Sequence, residues 1–149
     1  MSTEGEQTAP HSEIKSLVEL ARKYPNYIWN AADFEFNHTI GKGGFGDVWL
    51  ARDRITGKEV AIKEIRDERL SGSRLISFIR EVDTILSCNN HFIVPFVGFS
   101  VETPYSIFTE FVPNETLAFH LHNKTPSLKG TALTIIAMCI SHAMKHIHS

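Results

Sequence analysis

The sequence predicts an α+β fold, with antiparallel strands and amphipathic helices packed beside them. Three observations carry the prediction. Phe34-Glu35-Phe36-Asn37-His38-Thr39-Ile40 alternates apolar and polar side chains, the period of a half-buried strand. Asp47-Val48-Trp49-Leu50-Ala51-Arg52 and residues 59–65 are rich in β-formers, and the turn sequence Arg54-Ile55-Thr56-Gly57-Lys58 joins them as a hairpin. Apolar residues then recur at helical spacing, first at Leu75, Phe78, Ile79, Val82, Ile85 and Leu86, later at Leu133, Ile136, Ala137, Ile140, Ala143, Met144 and Ile147.

Composition sets the class. The 149 residues suffice for one domain with a core, and 42% hydrophobic with 21% charged residues is globular. A formal net charge of −2 supplies no general attraction to nucleic acid or to an anionic membrane. Residues 1–12 lack the apolar stretch of a signal peptide, and the apolar run at 133–140 is too short to span a bilayer. Cys88 and Cys139 stand far apart without a C-x-x-C spacing, which fits reduced thiols and a cytoplasmic protein.

Residues 1–10 have almost nothing to bury and are expected to stay unfolded. Ser12 is a candidate cap for a helix to about Lys23, with Ile14, Leu17, Val18 and Ala21 on one face and Pro25 as its stop. Residues 1–33 are therefore expected as an extension packed on the domain, a regulatory or partner-docking helix being the alternative.

Between the first two strands lies Ile40-Gly41-Lys42-Gly43-Gly44-Phe45-Gly46-Asp47-Val48, with a G-x-G-x-x-G pattern at Gly41, Gly43 and Gly46. Glycines let backbone N–H groups approach a bulky anion such as a phosphate chain. A Walker A loop would end in Lys-Ser or Lys-Thr, where this chain has Asp47 and Val48. A dinucleotide-binding turn would lead straight into a helix, whereas these glycines lead into a strand. Lys63 closes the apolar run Val60-Ala61-Ile62, so its ammonium can sit under a glycine roof.

Residues 41–48 together with Val60-Ala61-Ile62-Lys63 closely resemble the N-terminal lobe of a protein kinase. The resemblance implies a protein-kinase-like small lobe over 34–112, a five-stranded antiparallel sheet plus a C-helix. The hinge exit and the first helices of the large lobe would follow over 113–149. Residues 92–100 and 105–111 take the places of the fourth and fifth strands. Lys63 would hold the α- and β-phosphates of ATP beneath Ile40, Gly41, Lys42, Gly43, Gly44 and Gly46, with Phe45 capping the loop tip. Val48 and Ala61 would pack on adenine, though both also suit a strand core. Glu81 lies on or beside the first helical stripe, where a buried carboxylate needs a cation, and it matches the glutamate that fixes the lysine. Residues 107–117 resemble the hinge. Thr109 matches the gatekeeper, the backbones of Glu110 and Val112 would meet the adenine edge, and Thr116 stands where the family often contacts the ribose. Glu115 departs from the glycine that many relatives carry. Trp49 and Val112-Pro113-Asn114 lean toward the tyrosine-kinase-like branch.

The final helical stripe resembles the first long helix of the large lobe, after which the family's catalytic loop comes. The 149 residues contain no H-R-D, D-F-G or A-P-E element. No catalytic residue is therefore assigned, and Mg²⁺, implied for the complete kinase, has no matched ligand. The implied function is the ATP-binding portion of a protein kinase, truncated before the catalytic loop. The complete enzyme would transfer the γ-phosphate to a Ser/Thr or Tyr hydroxyl of a protein substrate. The alternative is a truncated or pseudokinase-like module that binds nucleotide or a partner without catalysis. His142 and His146, four apart, lack a third ligand or an H-E-x-x-H context, so surface histidines are expected.

Overall fold

The computed structural model describes residues 11–43, 46–65, 72–123 and 128–149. The expectations for residues 1–10, for Gly44 and Phe45, for the connection 66–71 and for part of the loop before Gly130 fall outside these residues.

The elements are α1 (His11–Lys23), β1 (Phe34–Gly43), β2 (Gly46–Asp53), β3 (Glu59–Ile65), α2 (Gly72–Ser87), β4 (Phe96–Ser100), β5 (Ser106–Glu110), α3 (Leu117–His122) and α4 (Thr131–Ile147). Short 3₁₀ turns at Pro25–Tyr27 and Ala31–Asp33 link α1 to β1. The strands form one antiparallel sheet in the order β1-β2-β3-β5-β4. The β2–β3 turn is closed by Asp53, whose carboxylate accepts the N–H of Ile55 at 2.7 Å and of Thr56 at 3.0 Å. Those bonds, Thr56's first, hold the Asp53 carboxyl below the usual aspartate range.

The sheet buries both faces. On one, Ile65, Phe99 and Ile107 meet Leu75, Phe78 and Val82 of α2 and Leu17 and Leu20 of α1. On the other, Phe34, Ala51, Val60, Ile62 and Phe108 form a second cluster walled by Trp29, Phe36 and Trp49. Phe78, Phe99 and Phe108 are fully buried and fill the centres of these clusters.

Four details depart from the sequence expectation. β1 runs past Ile40 to Gly43, because its ladder with β2 continues through the glycines. β4 starts at Phe96 rather than Phe92, because the Asn90 side chain accepts the Phe92 N–H at 2.9 Å and bends the chain. The buried seam of α1 is Leu17 and Leu20, while Ile14 and Val18 are 50% and 43% exposed. The apolar stripe of α4 buries Ala143, while Ile140, Met144 and Ile147 stay open to solvent.

The extension is tied to the domain at two points. Lys23 Nζ and Tyr24 Oη donate to Asp83 Oδ1 of α2 at 2.7 and 2.9 Å. Farther on, the Trp29 N–H donates to Phe99 O at 2.9 Å and its indole N–H to Val97 O at 3.1 Å. The indole lies so close over Gly98 that any Cβ there would collide with it.

The bond from Lys23, then that from Tyr24, holds the Asp83 carboxyl below the usual aspartate range. A depressed carboxyl stabilises the fold above its unfolded pKa and loses that contribution as pH falls through its folded value. The protection of α1 amides, taken relative to their intrinsic exchange rate at each pH, should therefore fall as the pH drops below about 4. Asp83→Asn should give the lower protection already at neutral pH and flatten this acid limb, which hydrogen–deuterium exchange followed by mass spectrometry would register.

Candidate functional site

The glycine stretch is the tip of a β-hairpin. The β1–β2 ladder pairs Gly41 with Val48, Lys42 with Asp47 and Gly43 with Gly46. Gly46 has φ 154°, and a Cβ there would strike the carbonyl oxygen of Glu64 on β3. Glycine is required because β3 passes so close. A strand, not a helix, leaves the glycines, which is incompatible with a dinucleotide-binding turn.

Register places the predicted side chains. Gly41, Val48, Lys63 and Ile107 are successive partners across four strands, so they form one row on one face. The adjacent row on that face holds Leu50, Ala61 and Thr109. The structure thus gathers Val48, Ala61, Lys63 and Thr109 on a single face beside the hairpin. Lys42, Asp47 and Glu64 form a row on the opposite face. Ile40 sits at a register shift in β1 and is 42% exposed. Asp47 is 8% exposed.

Lys63 Nζ donates to Glu81 Oε1 at 2.6 Å. Burial of Phe78 and Val82 turns α2 so that the intervening Glu81 emerges at the edge of the core. The side chains of Lys63 and Glu81 keep 31% and 37% of their surface exposed, so the pair contributes little to stability. It fixes where the ammonium points.

β5 ends at Glu110, whose N–H donates to Pro95 O at 2.9 Å. That N–H is committed to β4, a constraint the sequence does not signal. Val112 follows, exposed. Asn114 and Glu115 then take φ of 79° and 58°, in the left-handed region. The position where Glu115 replaces the family's common glycine thus keeps a glycine-like backbone. Asn114 O lies 2.7 Å from His120 Nε2, and Thr116 caps α3 by accepting the Phe119 N–H at 3.1 Å. The Thr116 hydroxyl keeps a proton to donate.

His142 meets the ring of Phe92 edge-on at 5.3 Å, an apolar contact beside Ile135, Met138 and Cys139. Among the described residues no three His, Cys, Asp or Glu are grouped to hold a metal ion.

A family model described as the protein kinase domain matches residues 34–149. Proline-rich receptor-like protein kinase PERK2 of Arabidopsis thaliana is 33% identical over 117 residues, 77% of this chain and 16% of that protein. Serine/threonine-protein kinase TNNI3K of Mus musculus is 33% identical over 152 residues, 95% of this chain and 18% of that protein. Serine/threonine-protein kinase STY46 of Arabidopsis thaliana is 29% identical over 124 residues, 81% of this chain and 21% of that protein. The chain therefore spans only 16% to 21% of the length of these curated relatives.

A left-handed non-glycine residue carries strain of about 1–2 kcal/mol, partly offset on substitution by glycine's larger unfolded-state entropy. Glu115→Gly is expected to raise stability by up to about 1 kcal/mol. Urea unfolding of the variant beside the parent measures it, and a lower midpoint would contradict the backbone assignment.

Proposed function

The chain belongs to the protein kinase domain family, and from that premise we propose that it binds ATP between the glycine hairpin and the hinge. Lys63 takes the α- and β-phosphates, Glu81 fixes its direction, and the hairpin amides from Gly41 to Gly46 cover the phosphate chain. Val48 and Ala61 lie against adenine, and Thr109 bounds the depth of that pocket. Because the Glu110 N–H is used by Pro95, its carbonyl is the group left for the adenine amine, with the Val112 backbone beside it. Thr116 donates to the ribose while capping α3. The observation that carries this reading is the 2.6 Å Lys63–Glu81 pair, with Lys63 in the same cross-strand row as Gly41.

In the complete kinase the bound ATP would give its γ-phosphate to a protein hydroxyl. Two of the relatives above are named serine/threonine kinases, which favours a Ser or Thr hydroxyl. Mg²⁺ belongs to that chemistry in the family.

Titration calorimetry with ATP tests the site. The parent chain should bind, and Lys63→Met should weaken binding at least about tenfold, the loss expected for a charge-assisted phosphate contact worth some 1.5–3 kcal/mol. Equal affinity in the variant would remove Lys63 from the site. Tested alone with a generic protein substrate and labelled ATP, the 149 residues should incorporate no phosphate, because binding alone does not stabilise the transition state.

A further inference from the structure

We infer that α1 and Tyr24 act as a latch on α2, holding that helix where Glu81 reaches Lys63 and thereby setting the affinity of the ATP site. The inference rests on the proposed function and names a regulation of the same cleft. Leu17 and Leu20 are 8% and 5% exposed and share one cluster with Leu75, Phe78 and Val82 of α2. The cluster also holds Ile107, the cross-strand partner of Lys63, and Ile65, two residues beyond it. Glu81 projects from between Phe78 and Val82. Two residues on, Asp83 accepts from Lys23 and Tyr24. One turn of α2 thus reaches the lysine through one carboxylate and is tied to the extension through the other.

The tie is anchored to the sheet. After Tyr24 the chain passes Tyr27, whose ring lies 5.7 Å from that of Phe96, and then Trp29, bonded to Val97 and Phe99. The extension therefore bridges α2 and β4, and moving α2 away from the sheet would break one end of it. A site that is competent only when α2 is in place binds with an affinity reduced by the fraction in place, so strengthening the latch tightens binding without touching the ligand. Lys23, Tyr24 and Asp83 are positioning residues in this scheme.

The test is a double-mutant cycle in the whole chain. One arm is the pair Lys23→Met with Tyr24→Phe, partly exposed positions whose loss leaves the buried leucines in place. The other arm is Glu81→Gln. The latch pair should weaken ATP binding about fivefold in the parent and leave it unchanged in the Glu81→Gln background, the mark of coupled residues. Equal losses in both backgrounds would mean general destabilisation, and no loss in a parent that binds ATP through Lys63 would mean no latch. Either result overturns the inference while leaving the ATP site standing. If the parent binds no ATP, the site reading fails separately, and ligand-free amide exchange over residues 79–85 decides the latch. Faster exchange in each arm with no further gain in the combination supports it; unchanged or additive exchange overturns it.

Discussion

One ion pair marks the assembled state of this molecule. Lys63 stands on β3, between β2 and β5, and Glu81 stands on α2, 18 residues later in the chain. Neither carboxylate nor ammonium belongs at the edge of an apolar core unless the other is there. Their mutual attraction is too weakly shielded from water to hold a helix in place by itself. The packing must do that first. Phe78 and Val82 seat α2 on Phe99 and Ile107, and only then does the carboxylate arrive within hydrogen-bond reach. The pair is a consequence of the core and reports on whether the core is assembled.

Much of this was legible because it is local. The alternation in β1, the turn between β2 and β3 and the stripe of α2 depend on residues within a few positions of one another. The kinase family was legible by resemblance, carried by Gly41, Gly43, Gly46 and Lys63. The illegible parts are long-range. α1 offers several apolar faces, and Leu20 was selected over Ile14 and Val18 by the shape of α2. Nothing near Asp83 announces that Lys23 and Tyr24 will find it, 60 and 59 residues away. Gly98 resembles any strand glycine until Trp29 is laid across it.

The helix α4 shows the opposite failure. Its stripe of Leu133, Ile136, Ile140, Met144 and Ile147 is as regular as that of α2, and periodicity alone would bury both. In the described residues α2 finds a sheet and a second helix, whereas α4 finds mainly the ring of Phe92 against His142. An amphipathic pattern states what a helix can bury; the partner must come from elsewhere in the fold. Ile135 and Met138, 55% and 65% exposed, widen that apolar surface beyond what scattered surface residues explain.

The residues assembled here bear on position rather than on bond making. As proposed, Lys63 touches the phosphates that stay behind, and the hinge touches adenine, which does not react. Interactions equal in ground and transition states tighten binding without lowering the barrier, unless they align the reacting phosphoryl group for another part of the enzyme. In this chain alignment runs through the direction of one ammonium, that direction runs through Glu81, and Glu81 is carried by a helix with two neighbours. One neighbour is the sheet, whose packing is common to both faces of the core. The other is α1, held by two leucines and two hydrogen bonds to one aspartate. The second contact is exposed to solvent at its polar end, so it is where a modest change in free energy would move α2 most.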